Sequence, residues 1–177
     1  LLAAGEEVAA VVTQPDRPQG RSLKTAPCPV RAHIGQRVIS VLTPENVNSP
    51  DSVQAIQALA PDLIVVVAYG QILKPVILGI PPQGCINVHA SLLPKYRGPS
   101  SINWPIIRGD TRTGLTIFRP NEGLDEGPVI LQKECALKDL LRLSVKKFKS
   151  SRDFPIQALK ALVYFKDADA EPELKYL

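Results

Sequence analysis

The chain has 177 residues, of which 45% are hydrophobic and 21% are charged. This length suits one compact domain, and the composition excludes a chain that is disordered throughout, a collagen and a coiled coil. The net charge of +4 is compatible with a polyanionic partner, but it falls short of the strong bias of a dedicated nucleic-acid binder. The 17 prolines predict many rigid turns and argue against a helical bundle, and the absence of Met predicts a fragment of a longer product.

Hydrophobic runs and cysteine spacing limit the class of protein further. The longest apolar run, Leu63 to Ala68, is far shorter than the roughly 20 residues that span a bilayer, and no signal-peptide pattern precedes it. We therefore expect a soluble, cytoplasmic protein. The three cysteines, Cys28, Cys85 and Cys135, are widely separated and accompanied by only two histidines, so we predict structural thiols, without a disulfide framework or a metal site.

The first half of the chain predicts alternating short helices and strands. A helix ends at Gly5, and an apolar strand follows over Val8 to Thr13. The segment from Gln14 to Pro29 contains four prolines and a cluster of basic residues, so we predict a long basic loop without regular structure. The next predicted elements are a helix over Val30 to Gln36, a strand over Val38 to Val41, a helix over Val53 to Ala60 capped by Ser49 or Asp51, and a strand over Leu63 to Ala68 covered on both faces.

The second half continues this alternation. A helix is predicted from Pro75, a strand over Cys85 to Val88, and two later strands over Thr113 to Arg119 and Gly127 to Cys135, followed by an amphipathic helix from Ala136 onward. The order of elements predicts an α/β fold, an open and mostly parallel Rossmann-like sheet flanked by helices.

Asn87 and His89 are the sharpest candidates for chemistry. Ligands of open α/β sheets bind beyond the carboxyl ends of the strands, and residues two apart on a strand share one face. An Asn amide can donate a hydrogen bond to a developing oxyanion, and a His can transfer a proton near neutral pH. For an isolated pair of this kind, a turn cap beside a satisfied histidine is the more common interpretation.

The residues around this pair carry a resemblance that favours the chemical interpretation. Gln83-Gly84-Cys85-Ile86-Asn87-Val88 and His89-Ala90-Ser91-Leu92-Leu93-Pro94-Lys95-Tyr96-Arg97-Gly98-Pro99 closely resemble the core signature of formyltransferases that use 10-formyltetrahydrofolate, especially the branch that formylates methionyl-tRNA. Three further segments agree with it: Thr13 to Arg21, Ala68 to Leu73, and Gly123-Leu124-Asp125-Glu126-Gly127. The resemblance extends from about Val8 to Glu134.

The resemblance implies a set of site residues. Asn87, His89 and Asp125 are expected to be catalytic: the acceptor amine attacks the formyl carbon, Asn87 and His89 stabilise the oxyanion, and Asp125 orients His89 and helps to move the proton. No metal is expected. The implied folate-binding residues are Tyr69, Gly70, Gln71, Ile72, Leu73, Ser91, Leu92, Leu93, Pro94, Gly123 and Leu124.

The implied acceptor is the amino group of methionyl-initiator-tRNA, whose phosphates Arg17, Arg21 and Lys24 would contact. The alternative interpretation of these residues is a solvated loop. Residues 1–177 are expected to form one monomeric catalytic domain whose first strand would precede Leu1, with a divergent helical tail over 136–177 and without a C-terminal tRNA-binding domain. Three alternatives remain: a 10-formyltetrahydrofolate hydrolase, an amino-sugar or nucleotide formyltransferase, and an inactive folate-binding fragment.

Overall fold

The computed structural model describes residues 1–19, 24–35 and 38–138 of the chain. These residues fall into two compact units. Unit 1 contains Leu1–Ile86 and Pro120–Gly123, and unit 2 begins with Asn87–Arg119 and resumes at Leu124. The strand that carries Asn87 and His89 starts in unit 1 and ends in unit 2, so every residue from Asn87 to the end of this strand belongs to unit 2.

Unit 1 alternates short strands and short helices, as the sequence predicts. It begins with a 3-10 helix at Leu2–Ala4 that stops at Gly5, whose φ of 82° is left-handed. The elements that follow are β1 (Ala10–Val12), β2 (Arg17–Gln19), β3 (Lys24–Ala26), α1 (Pro29–Ile34), β4 (Ser40–Leu42), α2 (Pro50–Ala58), β5 (Ile64–Val67), α3 (Pro75–Leu78) and the start of β6 (Cys85–His89). Strands β1 and β4 pair in parallel, with Val11 opposite Val41.

The prediction of an irregular loop over Gln14 to Pro29 is wrong in one respect. Strands β2 and β3 form an antiparallel pair in which Pro18 lies opposite Thr25. Proline lacks an N–H but accepts extended backbone at the edge of a sheet. A ribbon of two strands consists only of edges, so the prolines that argue against a central strand do not prevent this pairing.

The core of unit 1 lies between α2, α3 and the neighbouring strands. Its buried members are Val47, Val53, Ile56 and Ile77. Ser49 caps α2 by accepting a hydrogen bond from the Ser52 amide. It is one of the two residues predicted for this cap. The prediction that β5 is covered on both faces is wrong: its residues are only partly buried, and Val67 is 42% exposed.

Unit 2 is built on an antiparallel arrangement of three strands. The end of β6 pairs with β7 (Arg112–Phe118), and β7 pairs with β8 (Val129–Ala136). A short helix, α4 (Asn103–Ile107), precedes β7. Ala90 is buried among Ile102, Leu115 and Cys135, and Phe118 is completely buried. Apolar and small side chains thus fix the sheet beneath the segment that follows His89.

The predicted tail starts later than expected. Ala136 belongs to β8, and the described part of the predicted tail has helical backbone only at Leu137 and Lys138. The remainder of the predicted helical tail, from residue 139 on, lies outside the described residues. Within residues 1–19, 24–35 and 38–138, no helix combines the length and the apolarity needed to cross a bilayer.

Candidate active site

Strand β6 places Asn87 and His89 on one face, two residues apart, as the sequence predicts. Asn87 lies opposite Phe118 and His89 lies opposite Thr116 of β7. The His89 side chain is 8% exposed. A buried imidazole needs partners for its two nitrogens, and the structure supplies both from segments that follow the strands.

Asp125 and Tyr96 hold the His89 ring from its two sides. The Nε2 atom lies 2.9 Å from the Tyr96 carbonyl oxygen, and Nδ1 lies 3.5 Å from Asp125 Oδ2. The same carboxylate oxygen accepts a hydrogen bond of 2.7 Å from the Gly98 amide. The carbonyl and the carboxylate are both hydrogen-bond acceptors, so each can bind a ring nitrogen that carries a proton.

Asp125 is held in an unusual backbone conformation. Its φ is 46°, in the left-handed region, and its side chain is only 14% exposed. Gly98 also has a left-handed backbone, with a φ of 92°, and its amide donates to the Asp125 carboxylate. The predicted approach of Asp125 to His89, across 36 residues of sequence, is therefore what the structure shows.

The predicted donor-binding residues of unit 2 are Leu124 and the segment Ser91 to Pro94. Ser91 is completely buried and donates a 2.6 Å hydrogen bond from its hydroxyl to the Lys95 carbonyl. Leu93 is held through its backbone, since its amide donates to Thr116 Oγ1 at 3.1 Å and its carbonyl accepts from Gln132 Nε2 at 2.8 Å. Leu124, at the start of the loop that carries Asp125, is 55% exposed.

The segment Tyr69 to Leu73 lies in unit 1, where Tyr69 and Leu73 pack against the core. Its backbone is fixed by amide side chains: Gln14 Nε2 donates to the Tyr69 carbonyl at 2.7 Å, and Asn48 Nδ2 donates to the Ile72 carbonyl at 2.9 Å. Gln71 accepts from the Val47 amide at 2.9 Å. Gly70 adopts a φ of 83°, and Ile72 is 66% exposed. Gly123 also belongs to unit 1 and donates its amide to Asn121.

The basic residues are only partly described. Arg17 lies on β2 and its guanidinium is 3.4 Å from Gln14 Oε1, and Lys24 begins β3. Arg21 lies outside the described residues. A neighbouring cation, Arg31, forms a 2.7 Å ion pair with Asp16. The structure thus places Arg17 and Lys24 on the two strands of one ribbon. In this ribbon Arg17 lies opposite Ala26, and Gln19 lies opposite Lys24.

Comparison with known proteins decides the family. Residues 3–148 match the family model described as Formyl transferase. This chain belongs to the formyl transferase family. The predicted resemblance is therefore confirmed at the level of the family, and the matched range includes the segments that hold Asn87, His89 and Asp125.

Relatives within the formyl transferase family are similar over most of the chain. It is 54% identical over 133 residues to a methionyl-tRNA formyltransferase of Geobacter sulfurreducens, a match that covers 75% of this chain and 42% of that protein. It is 53% identical over 137 residues to a methionyl-tRNA formyltransferase of Geotalea daltonii, a match that covers 77% of this chain and 44% of that protein. The matched part of the chain thus spans less than half the length of each of these relatives.

Solved structures confirm the fold of the formyl transferase family. A phosphoribosylglycinamide formyltransferase from Streptococcus pneumoniae superposes with a TM-score of 0.64 at 20% identity, over 90% of this chain and 83% of that one. The corresponding protein from Bacillus halodurans gives a TM-score of 0.62 at 24% identity, over 90% and 78% of the two chains. At this identity the likeness concerns the α/β fold, which the sequence predicts.

Sequence reasoning missed the residues whose hydrogen bonds hold the segments that carry the predicted site residues. Thr116 and Gln132 bind the segment after His89, Gly98 binds Asp125, and Asn48 binds the segment at Ile72. Thr116 offers a weak signal, since it is a polar residue between Leu115 and Ile117 in an apolar strand. The others are ordinary polar or glycine residues whose partners lie 24 or more positions away.

Proposed function

We propose that this chain carries out formyl transfer from 10-formyltetrahydrofolate to the amino group of methionyl-initiator-tRNA, in the cytoplasm. The observation that supports this most strongly is the His89–Asp125 pair at 3.5 Å, two strand residues from Asn87, within the range that matches the formyl transferase family. The two relatives above, named as methionyl-tRNA formyltransferases, favour this acceptor.

The proposed chemistry needs little more than hydrogen-bond donors and a proton carrier. As the acceptor nitrogen adds to the formyl carbon, negative charge develops on the formyl oxygen, and donors held in advance stabilise that charge. Asn87 supplies an amide N–H, and the imidazole of His89, held by the Tyr96 carbonyl and Asp125, is the second group proposed to face that charge. Asp125 orients the imidazole and takes part in moving the proton from the amine to the folate nitrogen, which leaves as its bond to the formyl carbon breaks.

The residues that the resemblance implies for the donor remain the proposed set: Tyr69, Gly70, Gln71, Ile72, Leu73, Ser91, Leu92, Leu93, Pro94, Gly123 and Leu124. The residues fit an aromatic, partly apolar group: Ile72 and Leu124 expose large apolar side chains, and Gly70 leaves its backbone uncovered by a Cβ atom. Gln14 and Asn48 bind the backbone carbonyls of Tyr69 and Ile72 in the segment Tyr69 to Leu73. When bound, 10-formyltetrahydrofolate supplies the activated formyl group.

The test of this function is formyl transfer measured with purified protein, 10-formyltetrahydrofolate and three alternative acceptors: methionyl-tRNA, a nucleotide or amino-sugar amine, and water. We expect formylated methionyl-tRNA with the unchanged chain. His89→Ala and Asp125→Asn should lower the rate by roughly 10²- to 10⁴-fold, the usual contribution of a positioned acid or base.

The control is the other histidine of the chain, the exposed His33 on α1. His33→Ala removes the same ring and should leave the rate unchanged. Full activity of His89→Ala would exclude the proposed mechanism. Tetrahydrofolate released without any amine acceptor would exclude the transferase and select hydrolysis.

A further inference from the structure

A row of polar side chains crosses the sheet of unit 2 at the level of His89. His89 on β6 lies opposite Thr116 on β7, and Thr116 lies opposite Gln132 on β8. Opposite residues of neighbouring strands point to the same face. The three side chains therefore lie on the face that carries the proposed chemistry, although Gln132 is two strands away from His89.

Gln132 binds two groups with one amide nitrogen. Its Nε2 donates to the Leu93 carbonyl at 2.8 Å and to Thr116 Oγ1 at 2.9 Å. Thr116 Oγ1 in turn donates to the Ser91 carbonyl at 2.7 Å and accepts from the Leu93 amide at 3.1 Å. Both backbone groups of Leu93 are thus occupied by the side chains of this row.

The segment held in this way continues to the partners of the catalytic pair. Ser91, whose carbonyl is bound by Thr116, donates from its hydroxyl to the Lys95 carbonyl, and the next carbonyl, that of Tyr96, binds His89 Nε2. Two residues later, the Gly98 amide binds Asp125. The backbone from Ser91 to Gly98 therefore carries groups that bind both the imidazole and the carboxylate.

We propose that Gln132 is a positioning residue: by fixing Leu93 it keeps the Tyr96 carbonyl on His89 and the Gly98 amide on Asp125. This inference rests on the proposed function for its effect on rate, but not for its effect on the histidine ring. Gln132 itself is exposed.

The experiment uses the full chain with 15N-labelled histidine and two substitutions, Gln132→Met and Gln132→Glu. Methionine keeps the length of the side chain and removes the donor, whereas glutamate keeps the shape and places an acceptor against the Leu93 carbonyl. The chain has two histidines, so the ring signals of His33 serve as an internal reference in each spectrum. Gln54→Met, an exposed glutamine on α2, is the matched control.

We expect both Gln132 variants to move or broaden the ring nitrogen signals of His89 and to leave those of His33 unchanged. In the formyl transfer assay, kcat should fall by roughly 10- to 100-fold, as for a small misplacement of a catalytic group, with a smaller change in KM. Gln54→Met should change neither quantity. His89 signals identical to those of the unchanged chain in both folded variants would overturn the inference. Altered His89 signals in a chain that never transfers formyl groups would support the positioning role and reject the proposed function.

Discussion

At the scale of single residues, the site depends on groups whose environments differ sharply although their types are common. His89 is buried and has a partner at each ring nitrogen, whereas His33 lies exposed on α1. The three cysteines also differ: Cys85 is 4% exposed, Cys28 caps α1 and accepts from the Arg31 amide, and Cys135 packs beside Ala90. None of the three forms a disulfide within the part of the chain that the structure describes.

The thiol of Cys85 gives a test of burial. Desolvation raises its pKa from 9.0 to about 11, because burial disfavours the thiolate. We expect iodoacetamide at pH 8 to modify Cys85 more slowly than Cys28 and Cys135, measured by peptide mass spectrometry. In denaturant the three rates should become similar. Equal rates in the folded protein would contradict the buried position of Cys85.

The same shift has a consequence for stability. The folded state holds the thiol proton to higher pH than the unfolded state does, so the unfolded chain binds fewer protons between pH 9 and pH 11. The free energy of unfolding should therefore fall as the pH rises through this window. Cys85→Ala should reduce that slope in denaturant titrations at several pH values, and an unchanged slope would assign the loss to other groups.

At the scale of elements, Gly114 on β7 packs tightly against the neighbouring strand β8 and against Leu92. A Cβ atom on Gly114 would lie 2.6 Å from Leu92 Cδ2 and closer still to the Lys133 carbonyl oxygen. The glycine is required here by the approach of a neighbouring strand and not by its own dihedral angles. It lies two residues before Thr116, so a shift of β7 at this point would reach the row that holds Leu93.

Gly114→Ala is expected to destabilise unit 2. Overpacking of this kind typically lowers the free energy of unfolding by about 1–3 kcal/mol. The Lys133 carbonyl oxygen belongs to the backbone of a paired strand, so it can move away only if the strand itself shifts. The measurement is a urea titration followed by circular dichroism. Gly35→Ala is the control, since the nearest atom to a Cβ there is the Arg31 carbonyl oxygen at 3.2 Å and the residue has ordinary helical backbone. Equal stability of the two variants would contradict the tight packing of Gly114 against β8.

At the scale of the whole molecule, charge is the property that concerns the proposed nucleic-acid partner. The net charge is +4 over 177 residues, and part of the positive charge is already paired: Arg31 with Asp16, Arg97 with Glu126 and Arg112 with Glu134. Non-specific attraction of tRNA is therefore expected to be modest. Binding should depend on a few placed cations, for which Arg17, Arg21 and Lys24 are the proposed set.

Salt dependence tests this set. Replacing Arg17, Arg21 and Lys24 together by Ala should weaken binding of methionyl-tRNA, and the slope of log K against log salt should decrease by about one for each phosphate that the variant no longer neutralises. Fluorescence anisotropy over a range of salt concentrations measures both quantities. Arg112→Ala, which removes an arginine held by Glu134, should leave the slope unchanged. An unchanged slope in the triple variant would mean that the ribbon β2–β3 is a solvated scaffold.

The sequence by itself determined the family, the order of the elements and the residues proposed for chemistry. Those inferences depend on local pattern: the apolar run of β5, the cap at Ser49 and the spacing of Asn87 and His89 on one strand are all set by neighbours in the chain. The β2–β3 ribbon escaped prediction because edge strands tolerate the prolines that usually exclude a strand.

Only the tertiary structure decided what holds the site in place. Gln132 lies 39 residues from the Leu93 carbonyl that it binds, and Gly98 lies 27 residues from Asp125. Nothing in the local pattern marks a glutamine on an exposed strand position or a glycine in a loop as a partner of the histidine. Their roles follow from the register of β6, β7 and β8, which brings His89, Thr116 and Gln132 into one row.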